Sequence, residues 1–99
     1  MMTRTCSLDH VERIVRVGAE YGLHLRAARR FAETAGTFSS VVRLSRVGTD
    51  DEVNGKSILA ILSLGAACGD TLFIQARGGD AEEAVQALQA IVEDNGLGE

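Results

Sequence analysis

Two kinds of hydrophobic spacing alternate along this chain, and their order limits the possible folds more than any other feature. Apolar residues at every second position predict strands, whereas apolar residues three and four positions apart predict helices. The order β-α-β-β-α-β-α predicts an α+β open-faced β-sandwich, a four-stranded antiparallel sheet with three helices on one face. Strands are predicted at 11–17, 38–45, 52–54 and 71–77, and helices at 25–35, 57–64 and from 81 to the Asn95–Gly96 pair.

Residues that favour helix ends support these boundaries. Gly36 directly follows the first helix and is predicted to cap it in a left-handed conformation. Gly65 is predicted to end the second helix. Asp80, with Glu83 three residues later, predicts a capping box at the start of the last helix. That helix has one apolar stripe, formed by Ala84, Val85, Leu88, Ile91 and Val92.

The length of 99 residues suits one domain, predicted at 11–97. Residues 1–10 show no hydrophobic period and are predicted to be a disordered N-terminal extension. No apolar run approaches the roughly 20 residues of a bilayer span. The start of the chain also lacks the apolar stretch of a signal peptide. We therefore expect a cytoplasmic protein without membrane insertion. The protein is also expected to be a monomer.

Charge and cysteine content exclude several classes of function. The net charge of −4 argues against nucleic acid as a partner, because nucleic-acid binders usually carry a basic face. Cys6 and Cys68 are expected to be free thiols, Cys6 in the extension and Cys68 as a small core residue. With only two histidines and no Cys/His cluster, the sequence predicts neither a metal site nor a cofactor.

Chemistry is concentrated in the short run Gly22–Arg26, where a loop turns into the first helix. The first N–H groups of a helix are unpaired and its dipole is positive there, so this position suits an anion such as phosphate. His24 supplies a nucleophilic imidazole, and Arg26 can bind phosphate oxygens through two N–H groups. The spacing alone also fits a packing or capping histidine, a solvated arginine and a simple glycine turn.

Three stretches, in the right order, carry a resemblance to a known family. Gly22–Ala28 resembles an active-site motif of glycine, an aliphatic residue, histidine, a small residue, arginine, proline and a small residue. Lys56–Gly65 resembles a second helix with a regulatory serine at its start. The strand, Asp80 turn and closing helix form the third match. Over about 11–97, the chain resembles HPr, the histidine phosphocarrier of the bacterial phosphotransferase system.

The resemblance implies a relay rather than an enzyme that turns over a substrate. His24 would accept phosphate from phosphorylated enzyme I and pass it to a sugar-specific enzyme IIA. Arg26 would steady the phosphoryl oxygens, with Gly22 and Leu25 completing the phosphate-binding loop. No role is assigned to His10, which is expected in the N-terminal extension.

The resemblance also implies that the second helix contains a regulatory site and a surface that binds partners. Ser57 matches a position that a serine kinase/phosphorylase modifies in many relatives, and it is also a good N-cap. Ile58, Leu59 and Leu62 match a partner-docking patch, although all three could instead be core. Ile61 and Leu64 are expected to be more buried than Leu59 and Leu62.

Two departures from the motif leave alternatives open. Leu25 stands where the family has a small residue, and Ala27 stands where it has proline. Leu cannot replace a serine or threonine cap, and it places a bulky apolar group beside the nucleophile. These changes favour a regulatory HPr-like protein that acts mainly by binding other proteins, in carbon or nitrogen regulation. Retention of both His24 and Arg26 favours a phosphocarrier of the sugar branch or the nitrogen branch.

Overall fold

The computed structural model describes residues 10–18 and 22–94. Its elements follow the predicted order β-α-β-β-α-β-α. They are β1 (His10–Arg16), α1 (Leu25–Gly36), β2 (Val41–Arg46), β3 (Glu52–Asn54), α2 (Ile58–Ser63), β4 (Thr71–Arg77) and α3 (Ala81–Glu93). The predicted Asn95–Gly96 end of the last helix and residues 1–9 of the predicted extension lie outside the described residues.

The four strands form one antiparallel sheet in the order β1-β4-β2-β3. Strands β1, β2 and β4 each have one buried face, because alternate side chains point to opposite sides of a sheet. In β3, Val53 is half-buried against the core. Val42 and Leu44 of β2 and Ile74 of β4 are buried beneath the helices. Ile14 and Val41 lie on the other face and are exposed. The predicted open-faced sandwich, with its three helices, is confirmed.

The helices complete the core mainly with aliphatic side chains. Phe31 of α1, Ile61 of α2 and Leu88 of α3 are fully buried. The predicted stripe of the last helix is confirmed, since Ala84, Val85, Leu88 and Val92 are buried and Ile91 packs against the core. No described helix is both long and apolar enough to cross a membrane.

Strand β1 begins at His10, which sequence analysis placed in the extension. His10 pairs with Arg77 at the far end of β4. Its Nε2 lies 2.8 Å from Glu12 Oε2, and its Nδ1 lies 3.4 Å from an Arg77 guanidinium nitrogen. Hydrogen bonds from His10 and Gln75 lower the pKa of Glu12. Long-range pairing thus extends the strand by one residue beyond its hydrophobic pattern.

Two predicted helix caps are wrong. Gly36 lies within α1, and Thr37 ends the helix in a right-handed conformation. The Thr37 hydroxyl donates to Thr34 O at 2.7 Å, so a helix-end carbonyl is satisfied without a left-handed residue. Asp80 occupies the N-cap position of α3, but its carboxylate makes no capping bond to α3 in the described part of the chain.

The Asp80 carboxylate instead holds the turn that precedes β2. It accepts the N–H groups of Ser39 and Ser40 at 2.9 and 3.0 Å, and it also accepts both hydroxyls. Ser40 is buried but lies in this turn, because β2 begins only at Val41 and not at 38, where the strand was predicted to start. Hydrogen bonds from Ser40 and Ser39 lower the pKa of Asp80 to about 2.

This lowered pKa predicts an acid-dependent loss of stability. The folded-state pKa lies below the ordinary value of 3.8, so the contribution is complete above about pH 4 and is lost as the pH falls through 2. Urea unfolding between pH 5 and pH 2 should therefore show a smaller loss for Asp80→Asn than for the wild type. Glu83→Gln removes an exposed charge from the same helix end and serves as the control. Equal losses in the wild type and Asp80→Asn would contradict this account.

Candidate functional site

His24 lies where sequence analysis placed it, at the start of α1. It is the N-cap residue, with extended backbone angles of φ −81° and ψ −172°. Its carbonyl accepts the Ala28 N–H at 2.8 Å, and its Nδ1 accepts the Arg26 N–H at 3.3 Å. The imidazole is exposed to solvent. One ring nitrogen therefore faces the amides of the helix N-terminus, and the ring stays accessible to a partner.

Leu25 is the first residue of the helix and not its N-cap. The expectation that leucine here removes a capping hydroxyl is therefore wrong. His24 caps the helix itself. The Leu25 side chain is 62% exposed, which leaves an apolar group at the surface beside the imidazole. Ala27 packs partly against the core and is compatible with the helix without proline.

Gly22 fixes the backbone that leads into His24. Its φ of +77° is left-handed, and an added Cβ would lie 2.4 Å from Ala66 O and 3.0 Å from Ala67 Cα. The next residue, Leu23, donates its N–H to Ala66 O at 3.0 Å. Glycine is required here because the loop packs backbone against backbone. Direct phosphate contact by Gly22 or Leu25 stays a prediction.

The first turn of α1 carries a cationic side chain. The turn contains Arg26, which is exposed, and no acidic residue. Arg29 pairs with Glu33 one turn later at 2.9 Å. The positive end of the helix dipole lies at the same turn, and such a position suits an anion.

Ser57 caps α2, as predicted. Its Oγ accepts the Ala60 N–H at 3.2 Å, and the residue is half-buried. Beyond the cap, Leu59 is 78% exposed, while Ile58 and Leu62 are half-buried against the core. These three residues form what we term the α2 apolar patch. Ile61 and Leu64 are buried, which confirms the predicted difference between them and Leu59 and Leu62.

The cap predicts a measurable effect of Ser57→Ala. Loss of the hydroxyl leaves the Ala60 N–H without its side-chain acceptor, so the free energy of unfolding should fall by about 1 kcal/mol. Ser63→Ala is a matched control, because the Ser63 hydroxyl donates to Ala60 O from the end of the same helix and caps no N-terminal amide. It should change stability by less than about 0.5 kcal/mol. Equal effects in urea titrations of the two variants would contradict the capping role.

Sequence analysis did not predict that the loop 64–70 supports the residues that lead into His24. Ala66 O accepts the Leu23 N–H, as described above. At the other end, Gly69 donates to Val17 O at 2.9 Å and Asp70 O accepts the Val17 N–H at 2.8 Å. The sequence signals of a turn here are Gly65 and the pair Gly69–Asp70, and both glycines are left-handed in the structure.

Cys68 lies exposed in this loop, so its prediction as a core residue is wrong. The turn that ends in Asp70 points residue 68 outward and buries Ala66 instead. The second predicted thiol, Cys6, lies outside the described residues. Among the described residues, no group of three His, Cys, Asp or Glu side chains could hold a metal ion.

The fold and site together define a class: an open-faced α+β sandwich that presents a solvent-exposed histidine at the N-terminus of its first helix. A family model described as the PTS HPr component phosphorylation site matches residues 11–94. The chain belongs to the HPr family of phosphotransferase phosphocarriers. The predicted family is therefore confirmed.

Individual relatives agree with this assignment. The phosphocarrier protein HPr of Haloferax volcanii is 43% identical over 82 residues, which is 83% of this chain and 92% of that protein. The HPr-like protein Crh of Halalkalibacterium halodurans is 36% identical and covers 84% of this chain and 96% of its own length. The crystal structure of HPr from Bacillus anthracis superposes with a TM-score of 0.78 at 37% identity, over 84% of this chain and 96% of that one.

Proposed function

We propose that this protein carries phosphate transiently on Nδ1 of His24. The phosphoryl group comes from phosphorylated enzyme I and passes to enzyme IIA of the phosphoenolpyruvate-dependent sugar phosphotransferase system. The observation that carries the proposal is the position of Nδ1, which accepts the Arg26 N–H at the start of α1. A phosphoryl group bound there would face the positive end of the helix.

The hydrogen bond also identifies the nucleophilic nitrogen. A ring nitrogen that accepts an N–H carries a lone pair and no proton, so the proton of the neutral imidazole belongs on Nε2. The Arg26 N–H must leave this lone pair before Nδ1 can attack, and it can then donate to a phosphoryl oxygen. The Nδ1 lone pair attacks phosphorus, the bond from phosphorus to the donor breaks, and its electron pair returns to the donor. Transfer to enzyme IIA repeats the step in the other direction. The chain turns over no substrate alone; it is a phosphoryl carrier.

The phosphoryl group needs charge neutralisation more than covalent machinery. The N–H groups of the first turn of α1 and the Arg26 guanidinium can both donate to its oxygens. During transfer, the phosphoryl oxygens would leave these hydrogen-bond donors and bind donors of the partner protein. Such an exchange suits a relay, because the phosphoryl group must first be held and then released.

Partner docking is assigned to the α2 apolar patch together with Leu25. Leu59 and Leu25 are among the large apolar side chains that remain exposed. A small apolar surface around a basic site fits partners that bind briefly, such as enzyme I and enzyme IIA. We propose that the protein acts as a cytoplasmic monomer.

Ser57 is proposed as a regulatory phosphorylation site for a serine kinase/phosphorylase. A phosphate on its Oγ would add a charge of about −2 next to Leu59 and the rest of the α2 apolar patch. Repulsion and desolvation would then weaken docking of enzyme I.

A second candidate function is regulation by protein binding with little phosphate flux. The exposed Leu25 beside His24 and the similarity to an HPr-like protein Crh favour it.

Incubation with phosphoenolpyruvate, enzyme I and then enzyme IIA distinguishes the two functions. A carrier gains phosphate that is labile in acid and stable in base, and it loses this phosphate when enzyme IIA is added. A protein that binds both partners without gaining phosphate supports regulation and overturns the carrier proposal.

A further inference from the structure

The segment that leads from β1 to His24 is held at both ends by the loop 64–70. Val17, at one end, exchanges two backbone hydrogen bonds with Gly69 and Asp70. Leu23, at the other end and adjacent to His24, donates to Ala66 O. The position of His24 relative to the sheet therefore depends on a loop that is about 40 residues away in sequence.

Two side chains in turn hold the loop 64–70. The Arg46 guanidinium, at the end of β2, donates to Leu64 O at 3.3 Å and to Gly65 O at 3.4 Å. The same nitrogen lies 3.7 Å from Asp70 Oδ2. Asp70 Oδ2 also accepts the Ala67 N–H at 2.9 Å. We term this arrangement the Arg46–Asp70 brace.

The brace contacts the residues on both sides of Ala66. One side is the end of α2, where Arg46 satisfies carbonyls that have no partner within the helix. The other side is the turn at Ala67, which Asp70 closes. Because both side chains are half-exposed, the pair adds little to global stability as an ion pair. The two side chains therefore hold the residues on both sides of Ala66, whose carbonyl accepts the Leu23 N–H.

We infer that Arg46 and Asp70 are positioning residues for phosphoryl transfer, an inference that rests on the proposed function of His24. They act through Ala66 O, which accepts the Leu23 N–H and thereby fixes the position of that amide. The position of the Leu23 amide in turn fixes the orientation of His24 at the helix N-terminus. Neither residue belongs to the α2 apolar patch. Loss of the brace should slow the transfer step more than it weakens docking, since small displacements of a reacting group reduce rates strongly.

The chain offers a matched control for this inference. Arg43 lies on the same strand as Arg46 but on the open face of the sheet, where it pairs with Glu52 at 3.3 Å. Arg46→Met and Arg43→Met therefore remove the same charge from the same strand, and only the first removes the brace. Arg46→Lys keeps the charge and tests for partial rescue, while Asp70→Asn tests the other half of the pair.

The experiment measures amide hydrogen exchange and phosphorylation kinetics on the full chain. In Arg46→Met and Asp70→Asn, exchange of the Leu23 amide should accelerate about ten-fold relative to the Ile74 amide of the central strand β4, which reports global unfolding. The NMR signals of the Arg26 amide and the His24 ring should shift. The maximal rate of phosphorylation by enzyme I should fall about ten-fold with little change in KM. Arg46→Lys should recover part of each effect, and Arg43→Met should resemble the wild type.

Unchanged Leu23 exchange and unchanged His24 signals in both folded variants would overturn the inference. So would an equal change in Arg43→Met. If Arg46→Met does not fold, Asp70→Asn decides the result through the same measurements. The hydrogen-exchange and NMR measurements need no enzyme I. If enzyme I fails to label the wild type, that result counts against the proposed function. The brace is then tested by the exchange rates and the His24 ring signals.

Discussion

Replacement of His24 by alanine is expected to abolish phosphate acceptance from phosphorylated enzyme I, whereas His10→Ala accepts phosphate like the wild type. His24 lies exposed at a helix N-terminus, and its Nδ1 accepts a hydrogen bond from the Arg26 N–H. His10 lies on β1, where one ring nitrogen contacts the Glu12 carboxylate and the other lies near the Arg77 guanidinium. The measurement is base-stable, acid-labile phosphate after incubation with phosphoenolpyruvate and enzyme I.

A second substitution separates loss of the nucleophile from loss of the helix cap. Alanine removes both, and the lost cap costs about 1 kcal/mol of stability. His24→Asn retains a capping oxygen and lacks the imidazole. Both variants should fold, and neither should accept phosphate. Equal labelling of the wild type and either variant would show that another residue is the acceptor.

Gly22→Ala is expected to have the largest effect on stability among substitutions near the site. A non-glycine residue at a φ of +77° is strained, and the new Cβ would meet the backbone oxygen of Ala66. Neither backbone can move without disrupting the Leu23–Ala66 hydrogen bond. We expect a loss of at least about 2 kcal/mol, seen as a fall in Tm of roughly 10 °C, and slower phosphate acceptance by the molecules that remain folded.

Gly36→Ala is the matched control for that prediction. Gly36 lies in α1, and apart from its chain neighbours and the backbone of its own helix, no described atom lies within 4 Å of the position its Cβ would take. Alanine there should raise the free energy of unfolding by about 0.5–1 kcal/mol, because it restricts the unfolded chain and suits a helix. Similar Tm values for the two variants would contradict the close approach described at Gly22.

The elements that sequence analysis predicted well are those with strong local patterns. The stripe of α3 and the Ser57 cap of α2 depend on residues within one or two helical turns, so sequence spacing is sufficient to find them. The errors arose where distant contacts overrode a local signal. Asp80 reads as a helix cap, but it binds the turn at Ser39 and Ser40, which lies 40 residues earlier.

The candidate site shows the same division. The placement of His24 at a helix start could be predicted, because its loop and its helix are adjacent in the sequence. The Arg46–Asp70 brace could not be predicted. Nothing in the sequence around Arg46 marks it as special, and its carbonyl partners lie 18 and 19 residues further along the chain. Cys68 was misplaced for a similar reason: it lies in a run of small residues, 66–69, whose sequence gives no sign that Ala66 is the buried one.

The most direct test of the account is to identify the phosphorylated nitrogen. The wild type is phosphorylated by enzyme I and phosphoenolpyruvate, and the histidine rings are observed by proton–nitrogen correlation NMR with phosphorus NMR on the same sample. The account predicts one phosphohistidine, at His24, with phosphorus bonded to Nδ1 and the proton on Nε2. Phosphate on Nε2 of His24, or on His10, would contradict the claim that the helix N-terminus defines the acceptor.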